Sequence, residues 1–329
     1  MDLRDRLSLE HPVLQAGMGQ GIAGWELAST VSMAGGLGTV GFDSPRALDA
    51  TIARTKALVQ GRPYAVNLLM PLLRPDHVAC VIRHKAPIVS MFYGFDRRAI
   101  RAVKESGACL IYQVGSEAEA ELVVASGADV LIVQGFEAGG HVRGNEPLRV
   151  ILPRIRARYP KMPILAAGGI HDRHSAARAI SLGADGVSCG TRFLMTHESR
   201  AHDAYKARLV QGQETMVTTL FGLGWPAPHR VLINDAVRRW CDQGGKPAVG
   251  VRALNWLSQF GSRYAPPSVT KKLFMAQRVN RPIFTPMYAA AGMDHACPAA
   301  ICDYAGECVR EIGSIESVGV VLAELAAGC

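Results

Sequence analysis

The chain has 329 residues, a formal net charge of +8 and a 49% apolar composition, with 34 glycines and 19% charged residues. That length supports one large α/β domain, alone or with a smaller companion, and the composition excludes a disordered or fibrous chain. No apolar run reaches the ~18 residues of a membrane span, and the start, MDLRDRLSLEHP, has acids and no apolar stretch of the kind a secretory leader carries.

A cytoplasmic protein with no membrane partner is expected. The positive charge is scattered, as in RDRL, DRRAIRAVK and LPRIRARYPK, with acids among the bases, which describes solvated helix faces and no nucleic-acid partner. Eight cysteines spread over a chain of this size read as reduced thiols. His295, Cys297, Cys302 and Cys308 form one local cluster, but it lacks the paired C-x-x-C of a structural zinc site, so no metal is expected. Nothing in the sequence sets an oligomeric state.

In chain order, short β-branched or apolar runs alternate with amphipathic stretches. PVLQA (12–16), LGTVG (37–41), YAVNL (64–68), PIVSMF (87–92), CLIYQV (109–114), DVLIVQ (129–134), PILAAG (163–168) and GVSCG (186–190) make eight predicted strands. Helix-like segments such as GWELASTVSMAGG, SPRALDATIARTKALVQG, DRRAIRAVKESGA, SEAEAELVVASGA and HDRHSAARAISLGA lie between them, several ending on glycine. Eight β-then-α units predict an α/β fold, a (β/α)8 TIM barrel. A doubly wound open sheet is the competitor. The count of eight and the lack of G-x-G-x-x-G after the first strand weigh against it.

After about residue 212 the pattern changes, and 213–290 holds Trp225, Trp240 and Trp256 with little strand alternation. The predicted organisation is a barrel over 1–212 and 291–329, with a mostly helical substrate-lid subdomain at 213–290 inserted after the eighth strand. The three tryptophans read first as packing anchors, with Trp225 also able to line a pocket. The tail SIESVGVVLAELAAG is spaced as a final helix that packs on the barrel.

Functional groups of such a barrel sit on the loops after the strands. VQGFEAGGHVRGNE (133–146) places Gly139 and Gly140 before His141 where the sixth strand ends. The glycines let a flat group approach the main chain, and an imidazole titrating near neutrality can take a proton from a weak carbon acid. A lone histidine more often caps a loop; the glycine pair and the strand end tip the balance towards chemistry. AAGGIHD (166–172) and GADGVSCGTRFL (183–194) follow the seventh and eighth strands, where barrels hold phosphate, and assign Gly168, Gly169, Gly190 and Thr191 to that role. Gln15, Ala16, Gly17 and Met18 at the first strand's exit, with Asn67, Gln113 and Gln134 on the third, fifth and sixth strands, form a polar rim suited to a flavin.

These stretches resemble the nitronate monooxygenase family of FMN-dependent barrels across most of residues 10–200. The likeness rests on HPVLQAGMG, STVSMAGGLGTVG, VNLL, VQGFEAGGH, ILAAGGI and GADGVSCGTRFLMTHES. Flavin-dependent enoyl-acyl-carrier-protein reductases and NAD(P)H:quinone reductases are similar over the same stretches. The resemblance implies FMN as cofactor, its phosphate on Gly168, Gly169, Gly190 and Thr191 and its ring against Ala16, Gly17, Met18, Asn67, Gln113, Gln134 and Gly139. It implies His141 as the base for a nitroalkane α-proton or a binder of the nitronate, with O2 as co-substrate and nitrite and a carbonyl compound as products. The alternative is an NAD(P)H-using reductase of an enoyl thioester or quinone. Where family members carry a Gly-Gln pair this chain has Gly306-Glu307, and a carboxylate there disfavours an anionic substrate.

Overall fold

The computed structural model describes residues 2–262, 267–293 and 298–329. Its strands are β1 (Val13–Gln15), β2 (Gly38–Val40), β3 (Tyr64–Leu69), β4 (Ile88–Phe92), β5 (Cys109–Val114), β6 (Val130–Gln134), β7 (Gly140–His141), β8 (Ile164–Ala167), β9 (Gly186–Cys189), β10 (Thr215–Thr218) and β11 (His229–Leu232). Each of the eight predicted runs holds a strand. They pair in parallel in the order β1-β9-β8-β6-β5-β4-β3-β2. A parallel bridge between Leu14 and Leu37 joins the two ends. The Leu37 amide donates to the Val13 carbonyl at 2.9 Å, and the Gln15 amide to the Leu37 carbonyl at 3.0 Å. The sheet therefore closes into the barrel and leaves no open edge.

Side chains alternate across each strand, so one set fills the barrel and the other meets the helices. Leu14, Leu37, Ala65, Ile88, Ile111, Ile132 and Leu165 form the inner cluster, joined by Leu3 and Leu7 of the helix Leu3–Leu7. The outward set packs against Leu48 and Ile52 of the helix Pro45–Leu58 and Ile151 and Ile155 of Leu148–Arg158. Helix starts follow local chemistry: Ser44, Asp96, Ser116 and Asp172 each accept a hydrogen bond from an amide of the first turn. The tail forms the helix Val318–Ala326, whose Val321, Leu322 and Leu325 join the outer core.

The chain divides into two compact units: Met1–Glu137, Arg143–Arg200 and Ser314–Cys329 in the first, Ala138–Val142 and Ala201–Gly313 in the second. The second unit is mostly helical, with helices such as Asp203–Gln211, Val249–Ser262 and Pro267–Met275. It also holds an antiparallel sheet of order β10-β11-β7, and a core of Leu220, Phe221, Val231, Val237 and Phe284. Compactness thus draws its borders at 201 and 313, and adds the short run 138–142. Two residues of β7 carry no periodicity, and HRVL needed its partner strands to be recognised as β11.

Candidate active site

Strand alternation decides which predicted residues line the barrel's inside. Ile111 and Ile132 belong to the inner cluster, so Gln113 and Gln134, two residues on, face the same way nearer the C-terminal strand ends. Ala65 places Asn67 likewise, and Leu14 places Ala16. A Cβ on Gly17 would lie 2.5 Å from the Cβ of Asn67, so only glycine lets β1's exit meet that side chain. The Gln134 Oε1 accepts from the Arg143 amide at 3.0 Å, holding the returning loop.

Gln15 departs from the expectation. It sits between Leu14 and Ala16 and so points to the opposite face, where its Oε1 accepts from the Thr39 amide at 3.0 Å and its Nε2 donates to the Ala16 carbonyl. Fully buried, its amide stitches β1 to β2. Met18 packs against the helix-facing core.

The exits of β8 and β9 are made of small residues. Gly168 and Gly169 have φ of +114° and +70°, a conformation that favours glycine and turns the backbone sharply away from the strand. Gly190 has an ordinary φ of −100°, and a Cβ there would find only Ala16 Cβ at 3.8 Å. Thr191 opens the short helix Thr191–Leu194. These exits leave backbone accessible where a barrel seats a phosphate, so the residues present fit FMN.

His141 lies in the second unit on β7, opposite His229 of β11. Gly139, which precedes β7, is there for close approach: a Cβ would fall 2.4 Å from the Gly306 nitrogen and 2.5 Å from the Ala305 carbonyl carbon. That packing gives Gly139 a reason other than a flavin ring. Gly140 has φ of +70°. The His141 ring stacks on Trp225 with centroids 3.9 Å apart and planes at 15°. His229 and Tyr304 also pack on it, with centroids at 5.7 and 5.5 Å. Burial, and secondarily the His229 imidazole, hold His141 well below the usual histidine range. Both effects favour the neutral imidazole over the charged form. Burial likewise pushes His229 down to about 4, against the Ala227 carbonyl that receives its Nδ1–H at 2.9 Å.

Glu307, the departure from the family pattern, is compensated: the buried Arg230 places a guanidinium nitrogen 2.9 Å from its carboxylate. Its charge is thereby offset. Of the tryptophans, Trp240 packs in the second unit's core and donates to the Val279 carbonyl at 2.6 Å. Trp256 is 57% exposed, edge-on to the more exposed Phe260, and is no packing anchor. His295 and Cys297 lie outside the described residues, while Cys302 and Cys308 are buried and form no disulfide. His229 and Tyr304 escaped the sequence analysis, which contained one signal for the former: GWPAPHRVLI sets a turn before an apolar run.

Comparison with known proteins bears on the family and the fold. A family model described as nitronate monooxygenase matches residues 2–77 and 73–255. A Mycobacterium tuberculosis protein named (3aS,4S,5R,7aS)-5-hydroxy-7a-methyl-1-oxo-octahydro-1H-indene-4-carboxyl-CoA dehydrogenase is 38% identical over 248 residues, 72% of this chain and 67% of that relative. The nitronate monooxygenase of Pseudomonas aeruginosa is 30% identical over 252 residues, covering 62% and 71%. Among solved structures, FabK from Thermotoga maritima superposes with a TM-score of 0.77 at 28% identity, over 98% of this chain and 94% of that one. The nitroalkane oxidase of Streptomyces ansochromogenes gives 0.75 at 26% identity, over 99% and 97%. The protein is an oxidoreductase with a TIM-barrel fold, and the chain belongs to the nitronate monooxygenase family.

Proposed function

We propose that the protein is an FMN-dependent monooxygenase that oxidises alkyl nitronates with O2 to a carbonyl compound and nitrite, with His141 removing the α-proton where the substrate arrives as the neutral nitroalkane. The observation that carries this reading is a half-buried imidazole whose Nε2 is screened from solvent, stacked on Trp225 at 3.9 Å and biased towards its uncharged form, in a chain of this family. A neutral imidazole can accept a proton from a neutral nitroalkane, and stacking holds its plane so that its edge meets the C–H bond. The C–H bond breaks, an N–H bond forms on His141, and the electron pair stays on the substrate as nitronate. Gly168, Gly169, Gly190 and Thr191 hold the FMN phosphate, while Ala16, Gly17, Asn67, Gln113 and Gln134 contact the ring. FMN, when bound, supplies the electron transfer and the reaction with oxygen. Gly140 lets the chain turn so that His141 leads out of the loop.

A second reading follows from the 38% identity to a relative named as a carboxyl-CoA dehydrogenase: reduction or oxidation next to an acyl thioester, with NAD(P)H as redox partner and His141 as its proton donor or acceptor. Anaerobic stopped-flow absorbance separates the two. Bleaching of bound flavin by propionate 3-nitronate, with no response to NADH or NADPH, is the expected result. Rapid bleaching by a nicotinamide with none by the nitronate overturns the first reading in favour of the second.

A further inference from the structure

The second unit holds a fully buried imidazole, His229, that the proposed reaction has not used. Antiparallel pairing sets His229 directly opposite His141, and the Val142 amide donates to the Pro228 carbonyl at 3.0 Å, so the two strands are pinned at this point. The rings stand edge to face, centroids 5.7 Å apart at 67°. A carbonyl oxygen can only accept, so the His229 Nδ1 that lies 2.9 Å from the Ala227 carbonyl carries the hydrogen. A neutral imidazole has one N–H, which leaves Nε2 as an acceptor. That nitrogen is buried and, among the described residues, has no hydrogen-bond partner. Buried acceptors without a donor are rare in folded proteins and call for an explanation.

The surroundings of His141 supply one. Trp225 and Tyr304 pack on its ring without a negative charge. Burial holds the Tyr304 phenol well above its usual range, and its hydroxyl donates to the Pro286 carbonyl at 3.2 Å. Arg230, next along β11, is paired with Glu307 at 2.9 Å. An imidazolium formed on His141 would have the neutral His229 ring, with its unpaired Nε2, 5.7 Å away between centroids. We propose that His229 is a positioning residue whose Nε2 accepts a hydrogen bond from His141 once His141 carries the substrate proton. The proposal rests on His141 being the proton acceptor of the reaction.

Two substitutions divide the imidazole's functions. His229→Asn keeps an N–H near the Nδ1 position and so restores the bond to Ala227, whereas His229→Gln sets an amide oxygen near the Nε2 position and restores the acceptor. His229→Phe keeps ring and volume and has neither. For each, kcat and KM are measured alongside melting temperature and FMN dissociation constant. The expected outcome is a ~100-fold loss of kcat at near-constant KM in His229→Phe and His229→Asn, with His229→Gln within about tenfold of wild type. A merely structural histidine gives the reverse order, Asn rescuing and Gln failing, with kcat following the melting temperature, and that overturns the proposal. Imidazole 15N NMR of the resting protein gives a test free of turnover: Nε2 of His229 must resonate as an unprotonated nitrogen, and a protonated Nε2 also overturns it. A His141→Ala variant of undiminished activity refutes the reading of His141 instead, and leaves the NMR result standing.

Discussion

Burial fixes the proton chemistry of His141 before any substrate arrives. Because desolvation holds its pKa well below the usual histidine range, the base form persists through neutral pH, and kcat/KM on a neutral nitroalkane should stay flat from pH 8 down past 6.5. An acid limb centred at or above pH 6.5 would contradict this. The same burial has a stability consequence. His229 titrates near 4 when folded and near 6.5 unfolded, so the unfolded chain binds more protons between those values. Stability contributed by the neutral form is complete above pH 6.5 and is lost as pH falls towards 4, by about 3 kcal/mol from this residue. His229→Phe should flatten that dependence in urea unfolding. Gly190 gives a cleaner test of the cofactor cradle. Its φ suits any residue, and a Cβ meets only Ala16 at 3.8 Å, so Gly190→Ala should leave the melting temperature unchanged while weakening FMN binding at least tenfold, or about 1.4 kcal/mol. Unaltered FMN affinity would remove Gly190 from the phosphate site.

At the scale of elements, the barrel was legible because each strand is a compact apolar run bounded by glycine or proline, and four of the helices begin at a serine or aspartate that caps them. Gln113, Gln134 and Asn67 could be placed by counting two from an inner apolar residue. The same count would have turned Gln15 outward, since Leu14 before it and Ala16 after it point in. The second unit was harder to read. β7 has two residues, β11 is recognised only through its cross-strand partners, and the stacking of Trp225 on His141 joins positions far apart in sequence. One pair there anchors elements. Arg208 of the helix Asp203–Gln211 donates through Nε and Nη2 to Asp303 at 2.7 and 2.6 Å, and the carboxylate is 1% exposed. Removing one partner of a buried pair leaves an uncompensated charge. Asp303→Ala should therefore cost roughly 3 to 5 kcal/mol in denaturant unfolding, and a loss below about 1 kcal/mol would mean that the pair contributes little to holding the helix.

At the scale of the whole molecule, the chain is an oxidoreductase of the nitronate monooxygenase family; the residues proposed for the cofactor belong to the first unit and His141 to the second. No helix among the described residues is long and apolar enough to cross a membrane. The proposed role of His141 makes it an uncharged base suited to an uncharged carbon acid. The decisive measurement compares kcat/KM of wild type and His141→Ala on neutral nitroethane and on its preformed nitronate. A fall of ~10²- to 10⁴-fold on the nitroalkane with a much smaller fall on the nitronate is predicted; equal losses on both substrates, or none on either, would contradict the account.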